Sequence, residues 1–197
     1  MKRSWTALAL GLLLAVLVAC TSSNPLSPSS GRVNLLLTDA PIDLTNVSAV
    51  EVTLESLTLF AADGDEDANG GVKMQMPGFS GGEGLTLNLL DFQNGRVALI
   101  GTADVPEGDY RKVRMRIASA ELVLDDDHDP DTPDAREEIF VPSGKVDVPV
   151  TFSASAGKSV DVTLDFDAEL SVQVNATPGR HPYILRPVIT PVGVTVR

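Results

Sequence analysis

The segment VDVTLDFDAELSVQV, residues 160–174, alternates apolar and polar side chains along its whole length. Val, Leu, Phe or Ala occupies every even-numbered position, and a polar or charged residue occupies every odd-numbered one. This period of two places side chains on alternate faces of a β-strand, whereas a helix would distribute the eight apolar residues around its axis. The segment therefore predicts one long strand with a single buried face.

Three earlier segments, residues 33–37, 50–59 and 113–124, repeat this alternation. In the second segment the apolar phase slips by one residue between Leu54 and Leu57, and in the third it slips between Ile117 and Ala120. A slip of one residue is what a β-bulge produces, so both strands are predicted to bend at these points.

The residues between these segments are typical of turns. The Asn-Gly pair at 94–95 lies between the apolar segments Leu85–Phe92 and Val97–Gly101, which predicts a β-hairpin. Pro187 and Pro191 interrupt the last apolar segment, which favours an edge strand or a bent strand. We therefore predict an all-β fold: an antiparallel β-sandwich of the immunoglobulin or prealbumin type, with long bent strands and little or no helix.

The composition excludes several classes of function. The 197 residues include 27 Asp and Glu against 15 Lys and Arg, which gives a formal net charge of −12. This excess argues against nucleic acid as a partner, because phosphates require clustered Lys and Arg. The single cysteine cannot form an internal disulfide, and no Cys/His cluster indicates a zinc site. Aromatic residues make up only 5%, which weakens the case for a sugar site built from stacked rings.

The amino-terminal residues are organised as in a bacterial lipoprotein signal. Lys2 and Arg3 precede the uncharged apolar segment Trp5–Ala19, and the sequence LVAC ending at Cys20 resembles the lipobox, in which the cysteine is acylated and the chain is cut before it. We predict a signal peptide at residues 1–19, a lipidated Cys20 with a flexible tether at residues 20–31, and a sandwich domain at residues 32–197. The alternative is an ordinary secretory signal with an incidental cysteine.

A lipid on Cys20, palmitate or a similar acyl chain, would hold the protein at the extracytoplasmic side of the bacterial cell envelope. Cleavage would also remove Lys2 and Arg3, which takes the formal charge from −12 to −14. A surface of this charge is repelled by anionic headgroups, so the lipid would have to supply the membrane affinity. Thr21, rather than Asp, follows the cysteine, which favours the outer membrane if the host has one.

Four short segments are similar to one known bacterial family. They are GRVNLLLTDAP at 31–41, NLLDFQNG at 88–95, VPEGDYRKVR at 105–114 and YILRPVI at 183–189. In this order, and behind a lipobox, they resemble the family called domain of unknown function 4382, over about residues 31–190. The resemblance implies a secreted or lipid-anchored β-sandwich module, and it implies no reaction and no catalytic residue.

One motif suggests an enzyme. Gly78-Phe-Ser80-Gly-Gly82 matches the G-x-S-x-G pattern of hydrolases, in which a strand, a sharp turn and a helix expose the serine. Here a Gly-rich loop leads into an apolar segment with no helix after it, so the pattern favours a loop. The alternative function is a serine hydrolase with Ser80 as nucleophile and with His181 or His128 as base.

Two acidic loops could bind calcium. Asp65, Asp67, Asn69 and Gly70 follow the D-x-D-x-N-G spacing of calcium loops, in which alternate side-chain oxygens surround a hard cation. Met76 stands where the bidentate Glu would be, so we expect at most weak binding. Residues 125–134 hold a second Asp-rich loop. The alternative for both is a solvated acidic connection, and no other cofactor is expected.

Two strands carry polar faces of opposite charge. The acidic face belongs to the strand at 160–174, and the basic face to the strand at 111–117. Their charged residues are Asp161, Asp165, Asp167 and Glu169 against Lys112, Arg114 and Arg116. Since four like charges on one face would repel, we expect cross-strand ion pairs and predict that the two strands are neighbours, or are separated by one strand.

Taken together, these patterns indicate a non-catalytic module, lipid-anchored through Cys20, with a binding or organising role in the cell envelope. The expected partners are the membrane, through the lipid, and an envelope protein or glycan, but no nucleic acid. The alternatives are the serine hydrolase based on Ser80 and His181, and a purely structural envelope protein.

Overall fold

A computed structural model of the chain describes residues 29–39, 46–64, 71–78, 84–125, 134–175 and 181–197. These residues form twelve strands, one short α-helix and one turn of 3-10 helix at Leu89–Phe92. The strands are β1 (Ser30–Thr38), β2 (Val47–Ala61), β3 (Gly71–Lys73), β4 (Leu85–Asn88), β5 (Ala98–Pro106), β6 (Gly108–Leu124), β7 (Ala135–Phe140), β8 (Lys145–Ala154), β9 (Ser159–Asp167), β10 (Val172–Val174), β11 (Tyr183–Leu185) and β12 (Val188–Val196). The helix α1 spans Ala168–Ser171.

The strands form two sheets that pack face to face. The smaller sheet has the order β12-β9-β1-β5, and the larger has the order β10-β11-β7-β6-β2-β3, with β4 also pairing with β2 and β8 with β6. The predicted all-β sandwich is therefore confirmed. Most pairs are antiparallel, but β1 pairs with β9 and β7 pairs with β11 in parallel. Parallel neighbours need long connections, and here those connections pass through the other sheet.

The core lies between the two sheets, where the alternating apolar side chains meet. Leu35, Leu164 and Phe166 of the smaller sheet and Leu59 and Met115 of the larger sheet are at most 1% exposed. Burial of this apolar surface supplies the main driving force for the fold.

The two predicted bulges are confirmed in the pairing of β2 with β6. Thr53 lies opposite Ser119, but Leu54 lies opposite Ile117, so β6 has one extra residue at this point. The next pair is Ser56 with Arg116, so β2 has an extra residue directly afterwards. Each extra residue shifts by one the positions that point to the core, so the apolar residues before and after it stay on the buried face, as the sequence pattern required.

The segment 160–174 is not one strand, contrary to the prediction. β9 ends at Asp167, α1 follows, and β10 joins the larger sheet. Two carboxylates cap α1: Oδ1 of Asp39 accepts a hydrogen bond from the Ala168 N–H at 3.0 Å, and Oδ1 of Asp167 accepts one from the Leu170 N–H at 2.8 Å. Such caps satisfy the free N–H groups at the start of a helix. The chain can therefore leave one sheet and enter the other here.

The Asn94-Gly95 turn is confirmed, but the hairpin is wrong. Both residues have positive φ, 59° and 78°, as a tight turn of this kind requires. However, β4 pairs in the larger sheet and β5 in the smaller one, so the turn connects the two sheets. The prediction at Pro191 is confirmed, because β12 is at the edge of the smaller sheet and its register shifts between Pro191 and Gly193.

Candidate functional site

Most residues that the sequence suggested as functional lie outside the described residues. These are Cys20, Asp65, Asp67, Asn69, Ser80 and His128, and they stay predictions. His181 is described: its ring stacks on Phe140 with 4.8 Å between the ring centroids, and its carbonyl oxygen accepts a hydrogen bond from Asn175 Nδ2 at 3.1 Å. Across the described ranges, no three His, Cys, Asp or Glu side chains are grouped so as to hold a metal ion. In the same ranges, no helix has the length and hydropathy to cross a membrane.

The prediction that the acidic and basic strands are neighbours, or are separated by one strand, is wrong. β6 lies in the larger sheet and β9 in the smaller sheet, so their polar faces point away from each other on opposite sides of the sandwich. The reason is that β9 pairs with β1 and β12, whereas β6 pairs with β2, β7 and β8. Instead, Asp161 on one face pairs with Arg197, and Lys112 and Arg114 on the other pair with Asp147.

On the smaller sheet, a hydrogen-bonded row crosses β5, β1 and β9 and ends at Arg197, the residue after β12. Thr102 Oγ1 donates to Asn34 Oδ1 at 3.2 Å, and Asn34 Nδ2 donates to Asp161 Oδ1 at 2.7 Å. Arg197 completes the row with an ion pair to Asp161 Oδ2 at 2.8 Å. Asp161 is thereby satisfied although its side chain is only 8% exposed. Further along β9, burial and the nearby charge of Asp167 raise the pKa of Asp165.

The larger sheet carries a group of cations on its outer face. The pairing register places them in three rows, of which two run across β3, β2, β6 and β8 and the third runs across β2, β6 and β8. The first row is Gly71, Phe60, Lys112 and Pro149; the second is Lys73, Thr58, Arg114 and Asp147; the third is Ser56, Arg116 and Lys145. Residues directly opposite each other share a face. We call the five basic residues Lys73, Lys112, Arg114, Arg116 and Lys145 the cationic face.

The size of the cationic face follows from sheet geometry. Neighbouring strands lie about 4.8 Å apart, and residues two apart along a strand are separated by about 6.7 Å. Four strands and three rows therefore occupy an area of about 14 by 13 Å. Five cations within this area stand out on a chain whose formal charge is −12.

Asp147 on β8 pairs with two cations of the cationic face, Lys112 and Arg114. Arg114 donates two hydrogen bonds to it, from Nε to Oδ1 at 2.6 Å and from Nη2 to Oδ2 at 2.9 Å, and Lys112 Nζ lies 3.4 Å from Oδ2. These bonds from Arg114 first, and then the charges of Arg114 and Lys112, lower the pKa of Asp147 from 3.8 to about 2. A bidentate pair of this kind fixes the orientation of the guanidinium group.

Phe60 forms an apolar floor under two of the cations. Its side chain points to the outer face, yet the residue is only 4% exposed. Lys112 Nζ lies 4.7 Å and Arg114 Cζ 4.8 Å from the centroid of its ring, which is the range of cation–π contacts. Gly71 makes room for this arrangement, because a Cβ atom there would overlap Thr58 Cγ2 and lie 3.1 Å from Phe60 Cε1.

The rest of the cationic face is open to solvent. Lys73, Arg116 and Lys145 are exposed, and none of them forms an ion pair with another described residue. At the other end of the same sheet the charges are paired instead, since Arg136 bridges Glu51 and Glu121. The cationic face thus consists of two half-buried cations, Lys112 and Arg114, that are paired with Asp147, and of three exposed cations beside them.

The sequence revealed this site only in part. It indicated that Lys112, Arg114 and Arg116 share a polar strand face, but it missed Lys73, Lys145 and the floor formed by Phe60. A signal for Lys145 existed, because Lys145 and Asp147 alternate with the apolar residues of β8. Which strand lies beside β6 depends on contacts between distant residues, and no local pattern encodes it.

The chain is similar to one protein family. Residues 30–187 match the model of a family described as a domain of unknown function, DUF4382. No curated protein and no solved structure matched the chain. The predicted resemblance to this family is confirmed.

Proposed function

The chain belongs to the DUF4382 family, and from that premise we propose that it is a non-catalytic binding module of the bacterial cell envelope. In this proposal a lipid on Cys20 anchors the protein, and the cationic face binds an anionic component of the envelope. The family description assigns no reaction, and the support comes from the residues of this chain.

The anchor is supported by the amino-terminal sequence. Two cations, an apolar segment without charge and the LVAC sequence at 17–20 occur in the order of a lipoprotein signal. The tether that follows is rich in Ser and Pro and has no charge, which suits a flexible link between lipid and domain. Mass spectrometry of the membrane fraction should find an acylated Cys20 at the amino terminus. A mature chain that starts elsewhere and has no lipid would contradict the anchor.

The observation that carries the binding proposal is the exposure of Lys73, Arg116 and Lys145 beside the fixed pair of Arg114 and Asp147. Elsewhere in the described residues several charged side chains are paired, as Asp161 is with Arg197 and Arg136 with Glu51 and Glu121. Exposed cations beside the ordered Arg114 suit an anionic ligand, because opposite charge across an interface favours association and fixes the orientation of the partner.

The binding proposal is tested with full-length lipidated protein in neutral detergent micelles, applied to immobilised polysaccharide from the bacterial envelope. Arg116→Glu with Lys145→Glu should lower the bound fraction at least about tenfold, because it reverses two charges at the rim. Arg96→Glu with Lys158→Glu is the matched control, since it also reverses two charges and both residues are exposed, in the links before β5 and β9. Equal binding by both variants and the wild type would contradict the proposal.

The absence of catalysis is tested separately, with generic ester substrates. We expect no hydrolysis above the buffer rate. Activity that disappears in Ser80→Ala would replace the binding proposal with the hydrolase alternative, in which Ser80 is the nucleophile and His181 the base.

A further inference from the structure

We infer that the ligand of the cationic face is a linear, acidic glycan, which lies across the strands from Lys73 to Arg186. This inference rests on the proposed function and names the class of ligand for the same site. It follows from the way in which the cationic face continues beyond β8.

The continuation is a groove of about 570 Å³ at the edge of the larger sheet. Lys145 and Asp147 of β8 form one wall, and Arg186 and Pro187, between β11 and β12, form the other. Arg186 is exposed, and its guanidinium forms no ion pair with another residue in the described part of the chain. Lys145 therefore belongs to both the cationic face and the groove, and it joins them into one path.

The path is long and narrow. From β3 to β6 it crosses two strand spacings, about 10 Å, and from β6 to β8 one more, about 5 Å, before it enters the groove. Four exposed cations, Lys73, Arg116, Lys145 and Arg186, thus follow each other over more than about 15 Å. A single phosphate or a monosaccharide could contact only one or two of them, whereas a polymer with repeated anionic groups could contact all four.

The surroundings favour a glycan over other polyanions. The groove walls also include Val146, Pro142 and Pro187, whose apolar surfaces can contact the C–H faces of sugar rings. An anionic bilayer is a wide plane of negative charge. The rest of the protein surface, on a chain of net charge −12, would repel it outside the path. Glu55, which lines a hollow with Lys73, marks one end of the path because its charge disfavours further anions.

The test uses polygalacturonate, which is linear and carries one carboxylate per sugar, as the probe. Calorimetry with full-length lipidated protein in neutral micelles should give an affinity that rises with chain length from the monomer to fragments long enough to cover the path, because successive contacts are linked. Lys145→Ala and Arg186→Ala should each weaken binding of the long fragments about 3- to 10-fold and lower the slope of log K against log salt by about 1. The exposed Lys158→Ala is the matched control and should change neither value.

The outcomes separate this inference from the proposed function. If Arg186→Ala leaves the affinity and the salt slope unchanged while Arg116→Glu with Lys145→Glu abolishes envelope binding, the extended path is wrong and the cationic face remains. If envelope polysaccharide binds but polygalacturonate of every length does not, the assignment of a linear, acidic chain is overturned. If phosphatidylglycerol vesicles bind as tightly as the polymer, the assignment of a glycan is overturned. If envelope polysaccharide itself does not bind, the proposed function fails. Circular dichroism of each variant checks that it is folded.

Discussion

Replacing Asp147 by Asn is expected to destabilise the protein and, at the same time, to strengthen anion binding. The substitution keeps the size of the side chain but removes the charge that Arg114 and Lys112 share. These two cations are only 19% and 11% exposed in their side chains, so the loss leaves them close together with less solvent to screen them. An added anionic ligand would then supply the missing negative charge.

The size of the effect follows from the pKa of Asp147. The lowering from 3.8 to about 2 corresponds to at most about 2–3 kcal/mol at neutral pH, because one pKa unit is worth about 1.4 kcal/mol. The side chain is 33% exposed, and solvent screening reduces this value to about 1 kcal/mol. For a chain of this length, a loss of about 1 kcal/mol lowers the melting temperature by about 2–4 °C.

The pH dependence distinguishes charge from packing. Because folding lowers the pKa of Asp147, its contribution is fully present above the ordinary value near 3.8 and is lost as the pH falls through about 2. The difference between wild type and Asp147→Asn in the free energy of unfolding, measured by urea denaturation and circular dichroism, should fall at pH 3 to roughly half its value at pH 7. Asp104→Asn is the control, since its partner Arg32 and Asp104 itself are both more than half exposed, and it should change stability less. An equal difference at pH 3 and pH 7 would refute the electrostatic explanation.

Three further predictions concern the core, the floor of the cationic face and the acidic loop. Leu164→Ala should lower the free energy of unfolding by about 2–5 kcal/mol, because Leu164 is fully buried and the substitution leaves a cavity; urea denaturation measures this. Gly71→Ala should lower the melting temperature, since its Cβ would meet Thr58 and Phe60, whereas Gly193→Ala, whose nearest new contact is at 3.9 Å, should not. Calcium should bind the loop with a dissociation constant of about 10⁻⁴–10⁻³ M, and Asp65→Ala with Asp67→Ala should remove both the heat of binding and the rise in melting temperature. No heat with the wild type would leave a solvated acidic loop.

Local features of the fold could be predicted from the sequence. The bulges near Leu54 and Ile117 were visible because a strand with one buried face must shift its apolar phase wherever it gains a residue. The turn at Asn94-Gly95 was visible because positive φ angles favour these two residues. Each of these signals is carried by residues that lie within a few positions of one another in the chain.

Features that depend on distant residues could not be predicted. The apolar alternation continues from Phe166 through Ala168 into β10, although the chain changes sheets there. The change depends on Asp39, which caps α1 from 129 positions away. In the same way, opposite charge suggested partners for Arg114 on β9, but β8 lies beside β6 and supplies Asp147. The charge pattern of a strand indicates that its charged residues need partners, but it does not identify the strand that supplies them.

The most direct test of the central claim is nuclear magnetic resonance of the isotopically labelled full-length protein during titration with polygalacturonate fragments. The account predicts that amide shifts change progressively at Lys73, Arg116, Lys145 and Arg186, in β3, β6, β8 and the link before β12. It also predicts no change on the opposite side of the sandwich, at Asn34 and Asp161. Changes that concentrate on β1 and β9, or a spectrum that does not change at saturating polymer, would contradict the claim that the cationic face is the binding site.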